Sequence, residues 1–375
     1  MIRILQCVNN MHRAGLETML MNYYRNIDRS KIQFDFLMHR QEKSDYDDEI
    51  LALGGRIYRA PRLYPQNYPA YFAYMKQFFR DHPEYKIVHS HIDSMSYLPL
   101  LAAKRAGVPV RITHSHSASI DKDMKYLMKQ GFRFLLPSVA THFFACGEKA
   151  GQFLFRGKPY QMIPNAIDAA KFLFDLEIRT QKRAELGLDG KFVVGHVGRF
   201  CYPKNHEFLV DIFEKICQKD SNSVLMLVGT GEKEEKIREY VSQKNLSDAV
   251  LFMGNRSDVN ELYQAMDVFV MPSLFEGVPL VGVEAQFSGL PCVFSSSVTR
   301  EVFFTDRCKS VDLSRPVEEW AQIVLNQRLE QHRTADTANA LYDVRNACGI
   351  LAESYENLAV QQGMEFSCPI GTAIE

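Results

Sequence analysis

One feature constrains the fold more than any other: strand-length apolar runs alternate with segments of helical period, and the rhythm is played twice along the chain. Such alternation belongs to parallel sheets with crossover helices, so the class is α/β. In the first half the pattern predicts strands at 2–8, 33–38, 87–90, 110–113, 142–145 and 161–163, with helices at 16–27, 45–53, 68–79, 95–106, 122–136 and 149–155. The second half restarts it, with strands at 192–197, 223–228, 250–253, 268–271 and 292–295 and helices at 205–218, 232–243, 259–265, 280–288 and 317–331. A length of 375 residues exceeds what one core usually organises, which agrees with two units in tandem. The seam falls near Pro164-Asn165-Ala166-Ile167-Asp168, where a strand runs into turn-forming residues. This gives an N-terminal domain over 1–168, a C-terminal domain over 169–338, a helix over 339–360 able to pack back on the first domain, and an aperiodic tail over 361–375 that is expected to be disordered.

Several classes of protein drop out. The longest apolar stretches fall far short of the roughly 20 residues that span a bilayer, and the N-terminus enters a strand without a leader-like segment, so a cytoplasmic chain is expected. The eight cysteines are scattered without a Cys-x-x-Cys pair, against a zinc ribbon or a disulfide framework. Net charge is -1, yet residues 1–168 carry 23 Lys and Arg against 15 Asp and Glu, and the remainder is correspondingly acidic. A basic first half suits an anionic partner, such as a membrane face or a phosphorylated acceptor. No nucleic-acid module is present, and the sequence pI is near 6.8.

The most informative segment runs from Pro272 to Pro291, with a strand ending at Met271, a loop holding Glu276, Gly277 and Val278, and a helix from Leu280. First-turn N–H groups are unpaired and the helix dipole is positive there, so a diphosphate is the natural guest. Glu284 lies more than one turn in and can reach a ribose, while Glu276 at the loop would face a sugar. A second segment ends a strand in Gly198-Arg199 and delivers Lys204-Asn205 at the next helix start, two cations flanking one gap that could stabilise a departing nucleoside diphosphate.

The order Gly198-Arg199, Lys204-Asn205, Gly229-x-Gly231, Gly254, Glu276 and Glu284 resembles the retaining family 4 glycosyltransferases of the GT-B fold, above all the branch that builds bacterial exopolysaccharide and capsule. The likeness runs from Ile2 to about Leu358. It implies two Rossmann-like domains facing a cleft, an N-terminal domain for the acceptor and a C-terminal domain for the nucleotide-sugar. It further implies that Arg199 and Lys204 contact the diphosphate, Glu284 the ribose and Glu276 the transferred sugar, with backbone near Asn255 and Arg256 meeting the base. Phosphate donors would come from Val278, Leu280 and Val281, because the family's usual glycine is Pro279 here and proline has no N–H. Proline also suits a first helical turn. Gly15 sits between the first strand and helix, where the family usually has two glycines and this chain has Ala14 and Gly15.

Histidines pair at His89-Ser90-His91 and His114-Ser115-His116, each at a strand end. A metal is not expected, since no carboxylate sits at ligand spacing, and a role beside the ligand is favoured for strand ends in such sheets. The resemblance places a histidine beside the donor sugar, and His116 is preferred over His114. Gly229-Thr230-Gly231 lacks the third glycine of a dinucleotide fingerprint, so no cofactor is expected. Aromatic and basic residues between Arg62 and Arg80, with Lys122, Lys125, Lys129 and Arg133, suit either a membrane interface or helical core packing.

The resulting expectation is a metal-independent, retaining hexosyltransferase that moves a sugar from a nucleoside diphosphate, UDP being the preferred base, to a polyprenyl-diphosphate-linked glycan, with peripheral contact at the inner membrane face. Two alternatives stay open: a nucleotide-sugar 2-epimerase of the same architecture and a noncatalytic nucleotide-sugar-binding partner.

Overall fold

The structure is a computed structural model that describes residues 1–117, 126–328, 333 and 341–363. It divides into two units, one formed by Met1–Ala166 together with the chain from Val344, the other by Ile167–Asp343. In the first, the elements run β1 (Ile2–Val8), α1 (Gly15–Asn26), β2 (Ile32–Met38), α2 (Asp47–Ala52), β3 (Ile57–Arg59), α3 (Tyr68–Asp81), β4 (Ile87–Ser90), α4 (Tyr97–Arg105), β5 (Val110–Ser115), α5 (Tyr126–Leu135), β6 (His142–Ala145), α6 (Glu148–Phe155) and β7 (Gln161–Met162). The second follows with α7 (Leu176–Glu185), β8 (Phe192–Val197), α8 (His206–Lys219), β9 (Ser223–Val228), α9 (Glu234–Gln243), β10 (Val250–Gly254), α10 (Val259–Ala265), β11 (Val268–Met271), α11 (Leu280–Phe287), β12 (Cys292–Ser295), β13 (Cys308–Val311) and α12 (Val317–Leu325). The chain then returns to the first unit as α13 (Val344–Gln361).

Each unit carries one parallel sheet, with strand orders β3-β2-β1-β4-β5-β6-β7 and β10-β9-β8-β11-β12-β13. Both orders reverse direction once, between β1 and β4 and between β8 and β11, which is the doubly wound arrangement. Central strands are buried on both faces, so they read as unbroken apolar runs; all six residues of β8 and of β9 are buried. In the second unit, Phe192, Val194, Leu225 and Leu227 of the sheet meet Leu209, Phe213 and Ile216 of α8 and Trp320 of α12 in one core. α7 is pinned beneath by Asp267, whose carboxylate takes Arg179 at 2.5 Å, Arg183 at 3.2 Å and the Val193 amide at 2.7 Å.

α13 packs on α1 in the first unit, with Ala347, Cys348, Leu351 and Tyr355 buried along one face. Two strands were not foreseen, β3 (Ile-Tyr-Arg) and β13 (Cys-Lys-Ser-Val), and both are edge strands. Each is short and largely half-exposed, so neither needs the apolar run that marks a central strand. α12 ends at Leu325, short of 331, and α13 begins at Val344. The starts of the segments expected at 122 and 339, the basic residues Lys122 and Lys125, and the tail from 364 lie outside the described residues.

Candidate active site

The reversal between β8 and β11 sets the position of the second unit's site, because loops leaving neighbouring strands toward opposite faces open a crevice at their carboxyl ends. The loop after β8 carries Gly198 to Asn205 and the loop after β11 carries Pro272 to Pro279. The two are stitched together: the Leu274 amide donates to the Pro203 carbonyl at 2.8 Å, and Asn205 Nδ2 donates to the Pro272 carbonyl at 3.1 Å. Asn205 itself adopts a left-handed conformation at φ 56°, a geometry asparagine tolerates, and starts α8.

Within this crevice Lys204 Nζ lies 2.7 Å from Glu276 Oε1, with side-chain exposures of only 15% and 16%. The lysine stem lies over Gly198, where an added Cβ would approach Lys204 Cε to 3.2 Å. Sequence order separates the two charges widely, and the β8–β11 pairing brings them together. Arg199, expected in the same grip, is placed differently: it is 72% exposed and pairs with Glu232 Oε2 at 3.0 Å.

Glycine at 229 and 231 serves close backbone approach. At Gly229, φ is +133° and a Cβ would fall 2.2 Å from the Gly198 carbonyl oxygen; at Gly231 it would fall 2.5 Å from that of Phe200. Hydrogen bonds from Phe200 N to Thr230 O (3.0 Å) and from Lys233 N to Phe200 O (3.0 Å) complete this packing under the Gly198-Arg199 turn.

α11 begins after the acidic loop at Leu280, where the sequence predicts it, with Pro279 immediately before it. Pro279 is extended, at φ -75° and ψ 121°, and its carbonyl accepts the Gly282 amide at 3.0 Å. Proline fits that position because the helix asks no N–H of it. The amides of Leu280 and Val281 then head the helix, and Val278 is buried beside Gly277 in the approach.

Glu284 projects from α11 into a site closed by α10. Tyr263 Oη donates to Glu284 Oε2 at 2.9 Å and lies 3.1 Å from the Val281 carbonyl. Burial pushes the Glu284 carboxyl up to about 7, against the lowering effect of the tyrosine bond. A carboxyl whose value is raised keeps its proton below that value and loses it above. Hydroxyls donate best to the ionised form, so affinity for a ligand that donates a hydroxyl to Glu284 is expected to rise by up to about tenfold between about pH 6 and about pH 8. In E284Q the slope should vanish, as titration calorimetry at the two pH values would show; an unchanged slope would assign the titration elsewhere.

On the β10 side Asn255 is exposed after Gly254, and Arg256 is held bidentately by Asp258 at 2.7 and 2.6 Å. Asp258 also takes Lys182 Nζ at 3.1 Å, so the Arg256 side chain braces its loop. Tyr263, Glu232 and His196 were not singled out from sequence. Tyr263 and Glu232 lie on other segments than the groups they touch, and His196 looked like an interior strand position, although its Nε2 would stand 3.1 Å from a Cβ at Gly198.

In the first unit, Gly15 opens α1 and a Cβ there would meet no atom within 4 Å. The four histidines gather on one side of β4 and β5: ring centroids lie 4.1 Å apart for His89–His91 and for His114–His116, and 5.2 Å apart for His91–His116. His114 is 1% exposed, whereas His116 is partly exposed at the strand end, where its amide donates to Asp93 Oδ1 at 2.9 Å. Of the aromatic residues between Arg62 and Arg80, Tyr71, Phe78 and Phe79 are core. α5 differs, exposing Leu127 (82%) and Phe134 (67%).

Two doubly wound parallel units, the second with a cation and a helix N-terminus at its reversal point, are those of the GT-B fold. The chain is similar in fold to the crystal structure of Anabaena Alr3699/HepE in complex with UDP, with TM-score 0.78, 17% identity and coverage of 95% of this chain and 100% of that one. Residues 191–325 match the family described as glycosyl transferases group 1, and residues 13–171 match glycosyltransferase family 4. EpsF of Bacillus subtilis (strain 168), a glycosyltransferase by name, is 36% identical over 94% of this chain and 96% of its own length. A UDP-Gal:alpha-D-GlcNAc-diphosphoundecaprenol alpha-1,3-galactosyltransferase of Escherichia coli is 31% identical over 57% of this chain and 58% of its own. The chain belongs to the family 4 glycosyltransferases, as a glycosyltransferase of bacterial polysaccharide biosynthesis. Among the described residues no helix is long and apolar enough to cross a membrane.

Proposed function

We propose that the protein transfers a sugar, with retention at the anomeric carbon, from a UDP-sugar to a hydroxyl of a polyprenyl-diphosphate-linked glycan during exopolysaccharide or capsule synthesis. The observation that carries this reading is the Lys204–Glu276 pair, held in the crevice four residues ahead of the α11 N-terminus. A donor diphosphate satisfies both the ammonium and the first-turn amides, and releases Glu276 to accept hydroxyls of the sugar. Glu284 takes the ribose, Asn255 and Arg256 backbone the base, and His116 lies on the sugar side. Charge develops on the leaving diphosphate oxygen as the glycosidic bond breaks. Lys204, Arg199 and the helix N-terminus stabilise it without a metal, while a donor phosphate oxygen takes the acceptor proton on the same face.

The relative from Escherichia coli supports the lipid-linked acceptor by its name, and the complex with UDP supports the donor base. The basic N-terminal half, with Leu127 and Phe134 exposed on α5, supports peripheral contact with an anionic membrane face. The test incubates the purified chain with UDP-, GDP- and ADP-sugars, with and without a polyprenyl-diphosphate acceptor, and reads the product's anomeric configuration by NMR. Transfer that requires both substrates and retains configuration is expected. Conversion of UDP-GlcNAc without acceptor would instead establish the epimerase, and a ligand-induced thermal shift without any product would establish a binding partner.

A further inference from the structure

We propose that His89, His91 and His114 form a buried binding site for a divalent transition-metal ion of the zinc type inside the N-terminal unit. The site is separate from the proposed transfer chemistry and does not depend on it.

Residues two apart on a strand share a face, so His89 and His91 at the end of β4 turn their rings the same way, and β5 places His114 beside them. One ring nitrogen from each of the three falls within a 4.8 Å span. The rings are 1%, 2% and 1% exposed. Their centroids are separated by 4.1 Å (His89–His91), 5.2 Å (His89–His114) and 5.2 Å (His91–His114).

Burying imidazole nitrogens without partners is unfavourable by about 1–3 kcal/mol each, yet His89 Nε2 has no hydrogen-bond partner among the described residues and the His114 ring has only the Ile163 backbone near it. The remaining bonds point the same way. Gln6 Nε2 donates to Tyr355 Oη at 3.1 Å, Tyr355 Oη lies 2.6 Å from His89 Nδ1, and Gln6 Oε1 lies 2.8 Å from His91 Nε2. An amide oxygen can only accept, so His91 carries its proton on Nε2 and presents the Nδ1 lone pair. Its Nδ1 now takes a bond from His116 Nε2 at 3.0 Å. Metal-bound histidines characteristically give their second N–H to an orienting acceptor, and Gln6 for His91 and Tyr355 for His89 stand ready in that role.

Tetrahedral coordination at about 2.0–2.1 Å sets ligand nitrogens roughly 3.3 Å apart. The imidazoles must therefore close by about an ångström and a half, which turning about the broad χ2 torsion allows. Burial holds all three rings neutral, the form in which imidazole ligates. Imidazole ligands suit Zn, Cu and Ni, whereas Mg and Ca prefer oxygen. Water completes the set, beside the His116 amide that donates to Asp93 Oδ1 at 2.9 Å.

The test uses the full chain, stripped with a chelator, equilibrated with Zn(II) or Co(II) and desalted. About one equivalent should be retained, with tetrahedral Co(II) absorption bands and a raised melting temperature. H89Q and H91Q should lower affinity by at least about tenfold, as should Y355F, which keeps the ring and removes only the supporting hydroxyl. H12Q, at an exposed histidine, should retain metal like the parent chain. Negligible retention by the parent, or equal retention by H89Q or by Y355F, overturns the site and leaves four packed neutral histidines. Should H89Q not fold by circular dichroism, Y355F and the Co(II) spectrum decide.

Discussion

K204A is expected to lower kcat by roughly 30- to 1,000-fold, equivalent to about 2–4 kcal/mol of barrier, as for other groups that stabilise a departing anion. The size follows from where the ammonium sits. Lys204 is mostly buried over Gly198 and is neutralised by Glu276, so it is preorganised and poorly solvated before any ligand arrives. A charge in such a place interacts with a developing phosphate charge far more strongly than one in water. The variant also strands the Glu276 carboxylate, which then repels the donor, so KM should rise as well as kcat fall. E276Q separates the two effects: it frees Lys204 for the diphosphate, leaving KM near that of the parent, while weakening acceptance of sugar hydroxyls and so lowering kcat. R199A should cost less than K204A, because Arg199 is largely in solvent and an exposed pair such as Arg199–Glu232 contributes little. Steady-state kinetics on the three variants tests the ranking. Near-parental kcat in K204A would remove the leaving-group role from this lysine, and with it the reading of the crevice as a diphosphate site.

That ranking could not be read from sequence, where Arg199 and Lys204 stand as equals. The strand–loop–helix grammar was legible because each central strand, buried on both faces, must be written as an apolar run, and because Gly and Pro punctuate the loops. The same reasoning explains which strands escaped notice. β3 and β13 lie at sheet edges, where one neighbour and one solvated side leave Arg59, Lys309 and Ser310 free of the apolar constraint. Within the site, Glu276 and Glu284 announced themselves by position relative to a predicted helix start. Their partners did not. Lys204 reaches Glu276 across the β8–β11 pairing, and Tyr263 reaches Glu284 from α10, contacts between segments that only tertiary packing creates. The paired histidine motifs were plain in sequence, but their convergence into one buried cluster depends on the alignment of β4 with β5.

G229A is expected to destabilise the second unit by about 3 kcal/mol or more, a value reserved for backbone strain and rigid overlap. Two independent costs act there. The residue sits at φ +133°, outside the region open to an L side chain, and the added methyl would lie 2.2 Å from the Gly198 carbonyl oxygen. The carbonyl cannot swing away, since the Gly198 N–H donates a hydrogen bond to the Val228 carbonyl at 2.9 Å and fixes this backbone. For a unit of this size the shift in melting temperature should be at least about 6–12 °C. Relief requires the Gly198-Arg199 turn to move, so nucleotide-induced stabilisation should fall together with the melting temperature. Gly254 provides the contrast, because it too has positive φ at 66° but an added Cβ meets nothing, and G254A should cost only about 1 kcal/mol. G15A removes even that strain and should melt like the parent, so any loss of turnover in it reports on the ligand rather than the fold. Differential scanning calorimetry with and without UDP measures all three. A G229A protein that melts within about 2 °C of the parent and is still stabilised by UDP would mean that the glycine turn does not set the position of Arg199.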